Sequence, residues 1–310
     1  MLDFSHVSTG TSDAIVQTFI GDAQAVNTSW KTWIKPRGKT MLHAILVGAG
    51  GNGGTGVVGS NSSAAGGAGG QSGAITCITV PLAFIPDTLF LSLAGLKPTA
   101  TTNFASKIAV APSAIAGDVL AFANGGNHGN NAAAGTGGTV GAASAIATAA
   151  NMPLGWMFIQ STTVASQLGT AGGAAISAAN LTLPATGSFV TGGTGGGGLP
   201  SGGAAGTNGG TITGAGVIPS LIGGVGSATA TDPADFGKAG MRPFGNLLFL
   251  LGGTGSASTH GTATGGGLVQ GKGGTGMMGC GGGGMGGALT GSSAGAVGWG
   301  GPSFAILTCW

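Results

Sequence analysis

Residues 41–59 read MLHAILVGAGGNGGTGVVG, and the change of period inside this stretch decides the fold. Met41–Val47 has the length and apolar character of a strand. Two interleaved triplet series follow it, Gly48, Gly51, Gly54 and Gly50, Gly53, Gly56, Gly59. A glycine every third residue fits neither the 3.6-residue turn of an α-helix nor the two-residue repeat of a strand. It fits an extended helix of the polyproline-II type, with three residues per turn and about 3.1 Å rise per residue. One row of side chains is then always hydrogen, so neighbouring backbones can approach closely.

The same device recurs along the chain. Triplet rows appear at Gly135, Gly138, Gly141, at Gly192, Gly195, Gly198 and at Gly203, Gly206, Gly209. They are densest at Gly273, Gly276, Gly279, Gly282 and at Gly281, Gly284, Gly287, and they resume at Gly295, Gly298, Gly301. Ordering a glycine costs roughly 0.5–1 kcal/mol more than ordering an alanine. With 71 glycines that deficit must be offset if the chain is ordered. Polyproline-II helices have no internal hydrogen bonds, so their N–H and C=O groups must find partners. Packed side by side they bond to one another, at about 1 kcal/mol net per bond. The rows therefore predict a bundle or sandwich of glycine helices. A flexible linker would lack phase and apolar spacers. Collagen would need an unbroken register and more than the 12 prolines present.

Between these blocks lie apolar segments of strand length. Asp13–Gly21 reads as a short strand or helical turn. Residues 28–47 read as two strands around a Pro36-Arg37-Gly38 turn. Further strands are expected at Ser72–Val80, Thr88–Ala94, Lys107–Ala111, Asp118–Ala123, Asn246–Leu251 and Ser303–Cys309, with shorter apolar pieces at Trp156–Ile159 and Leu181–Leu183. The first strand, Met41–Val47, is expected beside Ser303–Cys309, bringing the ends of the domain together. Residues 142–150 (AASAIATAA) are the one stretch with helical propensity. The predicted class is mainly β: a small antiparallel β unit with glycine-rich polyproline-II-type helices and little or no α-helix. Residues 1–27, the least glycine-rich part, read as an N-terminal attachment segment, and 28–310 as one glycine-rich β/polyglycine domain.

Composition excludes several function classes. Charged residues make up 5% of the chain against about 25% in ordinary domains. There is no Glu, and from Val119 to Thr231 there is no Lys, Arg, Asp or Glu at all. Lys31, Lys35, Arg37 and Lys39 cluster, but a net charge of +2 is too little for nucleic-acid binding, and the cluster reads as a solvated strand edge. No run reaches the roughly 18 apolar residues of a membrane helix, and MLDFSHVSTGTSDAIVQTF lacks the basic start and apolar centre of a secretory leader. Cys77, Cys280 and Cys309 suit neither a disulfide framework nor a zinc site and read as small buried hydrophobes.

The apparent chemical motifs are products of glycine content. Gly48–Gly53 satisfies GxGxxG, but the following residues will not form a helix and the next acid is Asp87, too distant for a dinucleotide site. Gly291–Gly295 satisfies GxSxG, but no His or Asp follows it to complete a triad. His6, His43, His128 and His260 show no metal spacing, and His43 reads as an edge or inter-subunit contact. Asp232 and Asp235 read as a turn, with a weak cation site as the alternative. Met277, Met278, Met285 and Trp299 read as seals on the inside of the bundle, with an exposed contact patch as the alternative. No catalytic, cofactor-binding or metal-binding residue is expected, no cofactor, and no enzyme activity, since general acid–base chemistry has almost no groups to use.

Trp33, Pro36 and Gly38, then Met41–Val47, then Gly48–Gly59, with the ending Gly298, Gly300, Gly301 and Phe304–Cys309, resemble the glycine-rich domain of bacteriophage tail-fibre and other virion proteins. The triplet rows also resemble the polyglycine-helix sandwiches of phage tail-tip adhesins. The resemblance covers about residue 28 to the end. It implies a structural virion protein, a tail fibre or surface spike, with loops between glycine helices contacting the host surface. It also implies location in the virion and other virion proteins as partners. The alternative is a self-assembling capsid-shell or filament subunit without a receptor. So few charges suggest that much surface is buried in a symmetric homo-oligomer, with a trimer as the expected symmetry.

Overall fold

The computed structural model describes residues 14–22, 30–60, 63–95, 105–113, 115–154, 160–183, 188–200, 205–214, 218–227, 229, 234–243, 249–260 and 268–310. The chain is mainly β, with no helix of 7 or more residues among those described. The strands in chain order are β1 (Ile15–Ile20), β2 (Trp30–Ile34), β3 (Met41–Val47), β4 (Val58–Gly59), β5 (Ile75–Pro81), β6 (Thr88–Ser92), β7 (Ser106–Ala109) and β8 (Val119–Ala123). They continue with β9 (Gln160–Val164), β10 (Leu181–Thr182), β11 (Ile212–Thr213), β12 (Ala288–Leu289) and β13 (Phe304–Cys309).

Two antiparallel sheets carry the longer strands, a five-stranded one in the order β1-β13-β3-β5-β9 and a four-stranded one in the order β2-β6-β7-β8. As the sequence predicts, β3 lies beside β13, with Val47 opposite Phe304 and Leu42 opposite Cys309. The two-residue alternation sorts side chains between two cores. Leu42, Ala44, Leu46, Ile78, Val80 and Leu307 face Trp33, Leu89, Leu91, Ile108 and Leu120 of the other sheet. The opposite face of the five-stranded sheet places Ile45, Val47, Ile75 and Phe304 against Cys280, Val190 and Leu250 of the glycine region. That second core joins sheet to bundle.

The two strands expected around Pro36-Arg37-Gly38 are present as β2 and β3, but in place of one small β unit they lie in two sheets: β2 pairs with β6, while β3 pairs with β13 and β5. The turn, with Gly38 at φ +76°, carries the chain from one sheet to the other so that Trp33 and Leu42 face a shared core. Residues 142–148 form no helix, because their backbone is used by neighbours: Gln71 Nε2 and Asn127 Nδ2 donate to the Ala142 carbonyl, and Asn124 Nδ2 to that of Ala145. His43 is not at an edge, since β3 is flanked on both sides. Of the expected N-terminal attachment segment, residues 15–20 are edge strand β1, paired with β13. The expected pieces at Trp156–Ile159 and at residues 246–248 lie outside the described residues.

His43 Nδ1 lies 2.8 Å from Thr79 Oγ1, its cross-strand partner, and burial pushes the imidazole pKa below its ordinary 6.5. A group harder to protonate folded than unfolded leaves stability intact above 6.5 and removes it as pH falls through the lower folded value. The melting temperature should therefore fall on acidification below about pH 6.5, and less steeply in His43→Gln, when followed by thermal unfolding across a pH series.

Beyond the sheets, the glycine blocks form arms that hydrogen-bond side to side with a three-residue period. Along residues 66–74 successive N–H groups go in turn to three neighbours. Gly66, Gly69 and Ser72 donate to Gly173, Thr170 and Gln167; Gly67, Gly70 and Gly73 to Met285, Gly282 and Gly279; Ala68, Gln71 and Ala74 to Asn130, Asn127 and Asn124. A bond direction that repeats after three residues is the turn of a polyproline-II helix. The carbonyls of this arm receive bonds from residues 48–57, 193–199 and Gly138, so it has six neighbouring arms.

The same three-way bonding around each arm builds a hexagonal stack in four layers. One outer layer holds residues 136–144, 166–174 and 177–183. Beneath it lie 124–132, 64–74, 190–199 and 206–213, then 48–57, 279–288, 250–259 and 221–227. The other outer layer holds 293–302, 270–277 and 235–240. Arms alternate in direction along the chain. Four of them, 64–74, 190–199, 279–288 and 250–259, are enclosed on every side.

Candidate functional site at the loop end of the bundle

The alternating arms give the molecule two chemically different ends. β3 and β8 run directly into arms 48–57 and 124–132, and arms 64–74 and 293–302 run directly into β5 and β13. The sheets therefore cap one end. The turns joining arms 48–57 to 64–74, 124–132 to 136–144, 166–174 to 177–183 and 279–288 to 293–302 collect at the other.

Among the described residues this loop end contains Val58–Ser60, Ser63, Asn131–Thr136, Ala174–Ser177, Pro200 and Ala288–Ala294. Short pairings tie its loops together. β4 pairs in parallel with β12, and the N–H of Gly135 donates to the Ser63 carbonyl at 2.8 Å. Ser63 Oγ donates to the Ser60 carbonyl at 2.7 Å, closing that turn on itself. Gly135 and Gly291, at φ +71° and +93°, make turns that L side chains resist. Ser60, Ala134, Thr136, Thr290 and Ser293 are exposed. The chemistry on offer is neutral: hydroxyls, peptide groups and small apolar surface. Such a surface can hydrogen-bond an uncharged polar ligand such as a sugar.

The sheet end carries two of the three ion pairs among the described residues. Lys35, Arg37 and Lys39, around the Pro36-Arg37-Gly38 turn, line a cavity of about 500 Å³ with Leu82, Ala83 and Asp87. Lys35 Nζ is 2.8 Å from Asp87 Oδ1 and donates to the carbonyls of Leu82 and Ile85. Its hydrogen bond and charge, aided by Arg37, hold the Asp87 carboxyl below its ordinary pKa. Lys31 pairs instead with Asp22, at 3.0 Å. The basic cluster is thus divided between two positions, and Lys35 serves as a structural pin.

The motif residues fall as follows. Gly48–Gly53 lie in arm 48–57, hydrogen-bonded to arms 64–74, 124–132, 279–288 and 293–302, where a Cβ at Gly50 or Gly51 would meet the backbone of Cys280 or Asn127. Gly291–Gly295 is a loop-end turn. Cys280 and Cys309 are buried and Cys77 half-buried; all three are free thiols, pushed by burial to about 12, 11 and 11 respectively. Asp235 Oδ1 accepts from the N–H of Phe236 and lies 3.7 Å from Lys238 Nζ, while Asp232 is outside the described residues. Met277 and Met278 pack on the core between sheet and bundle and Met285 is buried, as seals would be, but Trp299 is 40% exposed on an outer layer. The described residues hold no group of three metal-ligating side chains and no helix long and apolar enough to cross a membrane. No family model matches the chain, and no curated protein matches it.

Sequence reasoning missed the side chains that replace backbone partners. Asn124, Asn127 and Asn130, three apart, reach across to Ala145, Ala142 and Thr139. Thr191 and Thr194, also three apart, accept from the N–H groups of Gly252 and Gly255 at 2.8 Å each. The signal was a three-residue period in Asn and Thr, in phase with the glycines.

Proposed function

We propose that this chain is a structural virion protein, the tail-fibre or surface-spike component of a bacteriophage, with the loop end of its bundle as the host-contacting surface. The observation that carries this reading is the division of labour between the ends. The sheet end holds β1 and β13 and two of the three ion pairs among the described residues, Lys31–Asp22 and Lys35–Asp87. The described loops of the far end, Val58–Ser60, Ser63, Asn131–Thr136, Ala174–Ser177 and Ala288–Ala294, carry no Lys, Arg, Asp or Glu and sit on hydrogen-bonded arms, and loops on a rigid scaffold are where recognition is usually placed. The resemblance at Trp33, Pro36, Gly38, Met41–Val47 and Phe304–Cys309 supports the same reading.

The test is binding of labelled protein to host bacterial cells. Ala134→Arg and Ser293→Arg, both at exposed loop positions, should abolish most cell binding and leave the melting temperature unchanged. Undiminished binding by both variants would remove the loop end from consideration. A second reading, a shell or filament subunit without a receptor, is favoured by one broad uncharged side of the bundle. Electron microscopy of the native assembly separates the two, since a closed shell or continuous filament excludes a projecting fibre.

A further inference from the structure

The two outer layers of the bundle differ in a way that the loop-end reading does not use. The layer made of 293–302, 270–277 and 235–240 exposes Lys238 and Lys272. The layer made of 136–144, 166–174 and 177–183 lies wholly within the uncharged stretch from 119 to 231. Its outward positions recur every third residue: Thr139 and Ala142, then Leu168 and Ala171, then Ala179 and Thr182, all exposed. These rows are mostly Ala and Thr and project little beyond the backbone, apart from Leu168 and, at the loop end in phase with Ala179, Ile176.

From this geometry we infer that the uncharged face docks against the same face of a second copy of this chain, related by a two-fold axis near Ala171. Three observations converge on a second copy as the occupant. First, interfaces are depleted of charge at their centres, and here the depletion is complete on this layer while the opposite outer layer keeps its cations. Second, the face repeats every third residue, about 9 Å along the arms, and another face of the same period fits it row against row as the interior layers fit one another. Third, the area suffices. The two nine-residue arms run about 28 Å and arm 177–183 about 22 Å, and the three at the roughly 5 Å spacing of hydrogen-bonded chains, with flanking side chains, span about 20 Å. Two such faces bury about 1,000 Å², at the lower bound for a biological interface. A two-fold contact is self-complementary. Ala171, on the middle arm, then lies near its own copy. The inference stands whether or not the loop end contacts a host.

The experiment measures the solution mass of the full chain at micromolar concentration by light scattering. The wild type should be a dimer or a higher assembly built from dimers. Ala171→Arg places two cations against each other across the axis and should halve the mass. Lys272→Glu, on the opposite layer, should leave it unchanged. Thermal unfolding confirms that Ala171→Arg is folded. Should it not fold, Ala171→Cys takes its place: mild oxidation should yield a disulfide-linked dimer, and Ala239→Cys should not. A monomeric wild type overturns the inference, as does an oligomer unaffected by Ala171→Arg or an Ala171→Cys protein that fails to cross-link.

Discussion

Gly255→Ala is expected to destabilise the protein by at least about 3 kcal/mol, read as a fall in the midpoint of thermal or denaturant unfolding. Gly255 lies in arm 250–259, which is enclosed by neighbours on all sides. A Cβ there would fall inside the contact distance of the Gly195 carbonyl oxygen and close to the amide of Gly196. The obstacle is backbone, so no side chain can swing aside. Relief requires arms 190–199 and 250–259 to separate. That breaks the bonds from Thr194 N–H to Gly253 and from Gly197 N–H to Ser256, at 3.1 and 2.9 Å, and leaves their groups buried and unpaired. Each such group costs about 1–3 kcal/mol. Glycine content alone would predict otherwise, because replacing a flexible glycine by alanine in a tolerant site stabilises by about 0.4–1 kcal/mol through the unfolded state. Gly117 is the matched control: a Cβ there meets only the Ile115 Cγ2 at 3.9 Å. Gly117→Ala should be neutral or slightly stabilising. If Gly255→Ala melts with the wild type, the arms are not packed as described.

The strands and the bundle were legible in the sequence for different reasons. β3, β5, β6, β8 and β13 are runs of β-branched and apolar residues bounded by glycine or proline, and each appears within a few residues of its expected place. The arms were legible because a third-position glycine has one use that repays its entropy. Which arm neighbours which was not. Arm 64–74 touches residues as distant as 193–199 and 279–285, and nothing in a glycine row distinguishes one neighbour from another. The separation of β2 from β3 was hidden for a similar reason, since a Pro-Arg-Gly turn serves equally for a hairpin or for a crossing between sheets. Residues 142–150 misled because helical propensity is a weak preference that tertiary hydrogen bonding overrides. At the loop end, Gly135 and Gly291 were visible as glycines but not as turns, because positive φ is set by where an arm must reverse. The uncharged stretch from 119 to 231 was plain, but only the layer order shows that part of it forms one face.

Thr194→Val is expected to cost about 2–4 kcal/mol, although it preserves the shape of a fully buried side chain. Thr194 Oγ1 accepts from the N–H of Gly255 at 2.8 Å and donates to the carbonyl of Gly210 at 2.6 Å, so one hydroxyl joins three arms. Valine fills the same space and leaves both backbone groups without a partner in an enclosed site. Thr194→Ser keeps the hydroxyl and should recover most of the loss. Thr139 provides the contrast, since its Oγ1 accepts from Asn130 Nδ2 at 2.9 Å but on the exposed layer, where water can replace it. Thr139→Val should therefore change stability by no more than about 0.5 kcal/mol. The difference bears on how so repetitive a sequence encodes one arrangement. Glycine permits any arm to approach any other. The Thr and Asn residues set in phase with the glycines supply acceptors at particular heights on particular arms, and only the matching arm has an N–H there. A Thr194→Val protein as stable as its parent would show that Gly255 and Gly210 find other partners, and register would then have to come from the sheets alone.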